Sequence, residues 1–437
     1  MNSNRPAVSL AGPGKFLQSP EVWYLLSDSR AMSRVFNRLA PVFYGLVVTV
    51  AQVVIAVCLL APEGPQRYRT LIQHDSYWFM NIVDRGYQTT VPPINHKVME
   101  VSNVGFFPAY PAVVSVLHSV FGIETHEALL LAAQLAAWGF WAYFFLFCQR
   151  WKVSPSLQFF GALAIVAHPA AFFLVAGYSE SLFLMALLGF IYWSGAEGRS
   201  AKILAALHGM VMSATRIVGI PCASYPVVQR IFEKGWSGLN KPKEWLRTYG
   251  PAVGLMVAAI AGAISFFVYC QLRWGRWDMY MLTQSICWAI EPDYLAALLP
   301  STYHWLLPAL NNPTEISQMA TTLGALLAGA VLLCEGIPGL RQRMNRSVRL
   351  AIYVCAGIIL YISISGVACV RLESMVRYEF CAHALIVLAF VNFLCQFRAP
   401  SLWLRSLGTA AAIVVLALSL CLQAWCLWNF TRGNWVA

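Results

Sequence analysis

The chain has 437 residues, of which 59% are hydrophobic and only 11% charged, with a positive mean hydropathy; soluble domains carry about 25% charged residues. That balance argues against a water-soluble domain and for an all-α polytopic membrane protein, because apolar runs of roughly 18 or more residues cross a bilayer as helices that satisfy their own backbone polar groups. The formal net charge of +11 does not point to nucleic acid: Lys and Arg fall mainly between apolar runs, without an aromatic-interleaved basic domain, and read as topology signals.

Residues 1–40 are polar and carry Arg5, Lys15, Arg30, Arg34 and Arg38. The apolar run behind them lies too late and is too long for a cleaved signal peptide, so the first helix is expected to remain as an anchor. Apolar segments follow at 41–61, 104–122, 128–149, 157–175, 178–195, 203–228, 250–274, 319–338, 349–368, 378–397 and 405–427. Eleven crossings put the two ends on opposite sides. The basic segment 1–40, the Arg230 to Arg247 connection and the Arg341 to Arg349 run are then cytoplasmic, and the chain ends outside. One membrane domain spans 41–427, with outer connections 62–103 and 275–318 and an outer tail 428–437. Arg150/Lys152 and Arg199/Lys202 face outside in this scheme, against the positive-inside tendency. An alternative makes 104–122 re-entrant and 203–228 a broken hairpin turning near Thr215-Arg216. No internal repeat or low-complexity tract is evident.

The twelve Cys are scattered and none forms a paired CxxC. Those inside apolar runs (Cys58, Cys148, Cys270, Cys334, Cys355 and Cys421) read as small buried hydrophobes.

Chemistry concentrates in four places. In the first outer connection, His74-Asp75-Ser76-Tyr77-Trp78-Phe79 opens a stretch with apolar positions at helical spacing, expected to be an amphipathic helix at the interface with Trp78 and Phe79 among the headgroups. Asp75 at its start has two readings: an N-cap that favours the positive helix end, or a general base in a membrane-surface cleft. Phe106-Phe107-Pro108-Ala109-Tyr110-Pro111 reads as a helix start with a fixed approach angle. His168-Pro169 and Gly177-Tyr178-Ser179-Glu180-Ser181 bring a carboxylate to membrane depth or its edge, where Glu180 is either a functional group or a cap with Ser179. Arg216 interrupts an apolar stretch and costs about 3 kcal/mol or more there unless it snorkels or is paired. An ion pair with Glu180 and phosphate binding are its two readings. Arg371, Glu373, Arg377 and Tyr378 cluster on the outer side, where two Arg can grip a lipid-linked phosphate bidentately or stay solvated.

HDSYWFMNIVDRGY followed by NVGFFPAYP resembles the WDxxWYxxIAxxGY and AFFPxYP signature of bacterial mannosyltransferase-like membrane proteins related to PIG-V, the second mannosyltransferase of GPI-anchor assembly. The likeness continues in order through HPAAFFLVAGYSESLFLMALLGFIYW, SATRIVGIP, SMVRYEF and RGNWVA, over nearly all of the chain after residue 40. It implies a GT-C-type glycosyltransferase bundle of about 11 transmembrane helices, using polyprenyl-phosphate sugars, with Asp75 as catalytic base on the outer face. It also implies donor and acceptor sites lined from Tyr178, Glu180, Arg216, Arg371, Arg377 and Tyr378. The family's Trp before the Asp is His74 here, which implies a different acceptor, a helper His that titrates near neutrality, or weakened activity.

The expected reaction is an inverting transfer. Asp75 deprotonates an acceptor hydroxyl, that hydroxyl attacks the anomeric carbon, and polyprenyl phosphate leaves while Arg216 and one of Arg371 or Arg377 neutralise its charge. His74, Trp78, Tyr178, Glu180 and Tyr378 are the substrate-site candidates. No cofactor is called for, since the lipid-linked sugar is a donor substrate, and with no DxD-type pair in the outer loops the mechanism does not require a metal. The partners are that donor, a glycolipid or other membrane-associated acceptor and the bilayer. A transporter or flippase of a lipid-linked sugar, with Arg216 and Glu180 as midplane groups, and a non-catalytic partner subunit are the competing readings. Against the transporter stands the absence of the internal repeat that many transporters show.

Overall fold

The computed structural model describes residues 29–89, 102–235, 241–309, 312–336, 345–396 and 402–436. Residues 1–28 of the basic N-terminal segment, 90–101 of the first outer connection, 236–240 and 341–344 of the two basic runs and residue 437 lie outside that set.

Among the described residues all regular structure is helical. In chain order the helices are α1 (Ser29–Val54, running on as a π-helical turn Ile55–Leu60), α2 (Ser76–Arg85), α3 (Ala109–Phe121), α4 (Thr125–Arg150), α5 (Pro155–Val166), α6 (Glu180–Ser194), α7 (Arg199–Ser213) and the single turn α8 (Gly219–Cys222). They continue with α9 (Tyr225–Lys234), α10 (Pro242–Trp274), α11 (Met279–Trp288), α12 (Pro313–Gly336), α13 (Arg346–Val367), α14 (Met375–Gln396) and α15 (Leu402–Phe430).

Seven of the described helices are long and apolar enough to cross a membrane: Leu39–Leu60, Thr125–Arg150, Pro242–Trp274, Pro313–Gly336, Arg346–Val370, Met375–Gln396 and Gly408–Phe430. The chain is thus a multi-pass integral membrane protein, and the eleven expected crossings divide. Segments 104–122, 157–175 and 178–195 appear as the shorter apolar helices α3, α5 and α6, and 203–228 is broken into α7, α8 and α9. A short helix can sit at membrane depth when neighbouring protein, rather than its own length, satisfies its ends. α6 illustrates this, with its side chains buried from Glu180 to Leu184 and again from Ala186 to Ile191.

Small residues set how closely the helices pack, as is usual where lipid removes the hydrophobic drive for helix association. α4 packs against α1 and α6, and α7 against α6 and α10. A Cβ on Gly45 of α1 would stand 2.7 Å from the Ala142 backbone nitrogen of α4, and one on Gly262 of α10 would stand 2.0 Å from the Met210 carbonyl of α7. At that second crossing the Ser213 hydroxyl donates to the Ala259 carbonyl at 2.6 Å. α13, α14 and α12 form a further group, locked by Arg349, whose Nε and Nη2 donate to both oxygens of Glu335 at 2.5 and 3.2 Å while Nη1 donates to Asn392 Oδ1 at 2.9 Å.

Two local expectations change. Phe79 does not reach headgroups: it is buried against Phe106 and Tyr110, and Trp78 stacks over Phe106 and meets Trp288 edge-on. The apolar face of α2 therefore turns inward onto α3 and α4, because aromatic surface there finds ring partners. Cys58 and Cys421 are exposed and Cys334 is half-buried, whereas Cys148, Cys270 and Cys355 are buried as expected. The two exposed thiols sit on outward faces of α1 and α15, where an apolar environment of lipid serves a small hydrophobe as well as a core.

Candidate active site

The site is assembled from four breaks in helical structure. The first precedes α2. His74 takes a left-handed φ of +49°, and α2 begins with Asp75 in the N-cap place, yet the Asp75 carboxylate makes no capping hydrogen bond. It instead accepts from Arg377 Nη1 at 2.6 Å. Of the two sequence readings of Asp75, capping is the one its side chain does not take.

The second break is at Thr215-Arg216, as in the alternative topology. α7 stops at Ala214, whose carbonyl is taken by the Ala109 N–H at 2.8 Å, and Gly219 returns the chain so closely that a Cβ would lie 2.5 Å from the Met212 carbonyl. The turn frees Arg216 from a helical face and points it at Glu180, with Nη1 and Oε1 2.5 Å apart. The third break precedes α6, where the buried Glu180 occupies the first helical position and Ser179 makes no side-chain cap. A carboxylate in the first turn is favoured by the helix dipole. The fourth lies before α14, where Arg371, Leu372 and Ser374 all have positive φ and turn the chain so that Arg377 enters the bundle.

The four charges form one alternating row. Glu180 Oε1 faces Arg216 and also lies 3.2 Å from Arg377 Nε, while Arg377 reaches on to Asp75. Formal charge sums to zero. Arg377 and Glu180 are nearly inaccessible, while Asp75 and Arg216 at the two ends keep 20% and 14% of their side-chain surface, so the row is sealed in its middle and more open at its ends. Rings enclose the cations: the Arg377 guanidinium lies 5.2 Å from the Tyr178 ring centre and 5.1 Å from that of Tyr378, and Arg216 lies 4.9 Å from Tyr378. Such contacts strengthen as water is removed. Glu180 Oε2 is buried and makes no hydrogen bond among the described residues.

This row forms the polar wall of a cavity of about 840 Å³. Asp75, Tyr178, Glu180, Arg216, Arg377 and Tyr378 all line it. Apolar lining comes from Ile359, Ile362 and Val367 of α13, with Trp288, Ile290 and Tyr294 from α11 and the connection after it, and Glu373 is part of the lining as well. A cavity that joins a charged row to apolar lining suits an amphiphile whose anionic head must be stripped of water. Two candidates lie elsewhere. Arg371 is exposed on its turn, where its carbonyl accepts from Gln318 Nε2 at 3.1 Å, and Trp78 stands behind Phe106 rather than on the cavity surface. His74 reaches the site indirectly, through contacts with Asn434 and Trp435.

Trp435 also lines the cavity, and sequence reasoning missed it. RGNWVA carries only a resemblance in the sequence, although a Trp next to Asn and Gly beyond a last apolar run is itself a signal of an ordered turn. A second buried cluster joins His168, Glu379 and His383, whose ligand atoms lie within 4.8 Å of one another. His168 Nδ1 accepts the Ala170 N–H at 3.1 Å, which leaves the proton on Nε2, 2.5 Å from Glu379 Oε2. That is a donor aimed at a carboxylate rather than a lone pair offered to an ion.

No family model matches the chain, and neither does any curated protein. Solved structures do. ArnT from Cupriavidus metallidurans bound to undecaprenyl phosphate has a TM-score of 0.50 at 14% identity, over 90% of this chain and 76% of that one. The archaeal oligosaccharyltransferase AglB from Archaeoglobus fulgidus, in complex with an inhibitory peptide and a dolichol-phosphate, has a TM-score of 0.46 at 12% identity, over 91% of this chain and 56% of that one. At such identities the likeness to ArnT is one of fold.

Proposed function

We propose that this chain is an integral membrane glycosyltransferase that moves a sugar, mannose, from a polyprenyl-phosphate donor to a glycolipid or other membrane-associated acceptor. The observation that carries the reading is the Asp75–Arg377–Glu180–Arg216 row in a cavity that is also lined by apolar side chains. The undecaprenyl phosphate bound to ArnT and the ordered likeness to PIG-V-related mannosyltransferases support the same substrate class. The site opens on the outer face of the membrane, periplasmic, extracellular or lumenal, with residues 1–40 cytoplasmic.

The donor phosphate lies against Arg216 and Arg377, and its lipid tail runs along the apolar wall from α13. The phosphate inserts into a neutral row, so each Arg shares its donors between Glu180 or Asp75 and the ligand, which needs the many N–H groups of a guanidinium rather than a single ammonium. Asp75, the more exposed of the two carboxylates, takes the proton of the acceptor hydroxyl. The oxygen attacks the anomeric carbon from the side opposite the phosphate, the carbon–oxygen bond to phosphate breaks, and the electron pair leaves on polyprenyl phosphate. Transfer inverts the anomeric centre. Because the leaving group is good, most of the acceleration comes from orientation and from charge already in place.

The test is transfer of labelled mannose from polyprenyl-phosphate mannose by the purified chain, wild type against Asp75→Asn, over a panel of acceptors. Loss in the variant with unchanged detergent stability supports the reading, and equal transfer by both removes Asp75 from the mechanism.

A further inference from the structure

We infer that the segment after α15 is a strap that positions the Asp75 carboxylate, acting through a contact between Trp435 and His74. The inference rests on the reading of Asp75 as the base, and it gives a role to the RGNWVA stretch and to the His that replaces the family's Trp.

The strap is anchored on both sides of Trp435. Phe430, Thr431 and Val436 are buried. Gly433, with φ of +82°, donates its N–H to the Phe430 carbonyl, and the Asn434 N–H and side-chain amide both return to Asn429. That closed turn fixes the next two groups. The Asn434 carbonyl faces His74 Nε2 at 3.4 Å, and the Trp435 ring stands edge-on to the His74 ring, 4.8 Å between centres and 89° between planes. Gln73, beside His74, accepts the Tyr178 hydroxyl on its carbonyl at 3.1 Å.

His74 holds a backbone conformation that non-glycine residues rarely adopt, and such conformations persist where surrounding contacts over-determine them. The strap supplies those contacts. With His74 in this turn, Asp75 leaves the capping place open and its carboxylate meets Arg377 in the cavity. Trp435 itself lines that cavity with Asp75. Its Nε1 is buried without a hydrogen-bond partner among the described residues, and its contact with His74 is made by the ring.

Trp435 and His74 are therefore positioning residues: they set where the base points and do not hold the donor phosphate. Steady-state mannosyl transfer by the full chain, together with binding of undecaprenyl phosphate, is measured for wild type, Trp435→Ala, Trp435→Phe, His74→Ala and the double variant His74→Ala/Trp435→Ala. Trp435→Ala lowers kcat at least tenfold while undecaprenyl phosphate affinity stays within twofold of wild type, and Trp435→Phe, which keeps a ring, recovers most of kcat. The double variant loses no more than the worse single one, because both residues act through one contact. Wild-type kcat in Trp435→Ala and His74→Ala overturns the inference and leaves the base reading standing. So do losses that multiply in the double variant, or a loss that follows undecaprenyl phosphate affinity. If Trp435→Ala does not fold, His74→Ala and Trp435→Phe decide, with wild-type kcat in His74→Ala as the overturning result. No transfer by the wild type itself overturns the base reading, and this inference with it.

Discussion

The Asp75 carboxylate and the Arg377 guanidinium, 302 residues apart in the chain, meet at 2.6 Å in the lining of the cavity. The contact joins the start of α2 to the start of α14, and it takes a side chain that local sequence would assign to capping and gives it to the site.

Asp75→Asn keeps the shape of that contact but removes both the charge and the proton acceptor. We expect kcat for transfer to fall by about 10² to 10⁴, the range a positioned general base contributes. Binding of undecaprenyl phosphate is expected to hold or tighten, since Arg377 loses an anionic competitor. Paired measurements of turnover and lipid-phosphate binding check this, and weakened binding would show that Asp75 mainly orients Arg377.

Arg377 and Arg371 lie close in sequence and differ in place. Arg377→Lys loses the planar fork that reaches Asp75 and Glu180 together, so transfer should drop at least tenfold. Arg371→Ala, on an exposed turn outside the cavity, should stay within twofold of wild type. Donor-dependent rates of the two variants decide which arginine serves the phosphate.

Glu180 stands between two cations. Glu180→Gln leaves Arg216 without its carboxylate and should destabilise the fold by about 3 kcal/mol, as breaking a buried pair does. Glu180→Gln combined with Arg216→Gln removes a pair instead of a partner and should recover much of that stability without recovering activity. Thermal unfolding of the wild type and the two variants in one detergent checks the order.

At the crossing of α7 and α10, Gly262→Ala would place a methyl 2.0 Å from the Met210 carbonyl. The helices must separate, at about 1–3 kcal/mol for overpacking. Gly254, on the same helix with nothing within 4 Å of an added Cβ, provides the contrast: Gly254→Ala should be neutral or slightly stabilising. A lower unfolding temperature for Gly262→Ala alone is the expected result.

Composition by itself determined the helical membrane class, because so few charges cannot solvate a surface of 437 residues and lipid leaves helices as the way to satisfy the backbone. The order of residues offered a break at Thr215-Arg216 as the alternative to a full crossing over 203–228, and it singled out Asp75, Glu180, Arg216 and Arg377, since an ionisable group among apolar neighbours stands out whatever the fold. Helix length was less legible. Hydropathy cannot distinguish a helix facing lipid from one enclosed by protein, so α3, α5 and α6 read as full crossings although they are short. Tertiary structure alone decided which charges share a site. Arg371 and Arg377 look alike in sequence, and only the run of positive-φ residues before α14 sends one outward and the other to Asp75. The fold likewise brought Trp435 beside His74, a pairing across some 360 residues that no local pattern encodes, because contact between distant segments follows from how whole helices pack.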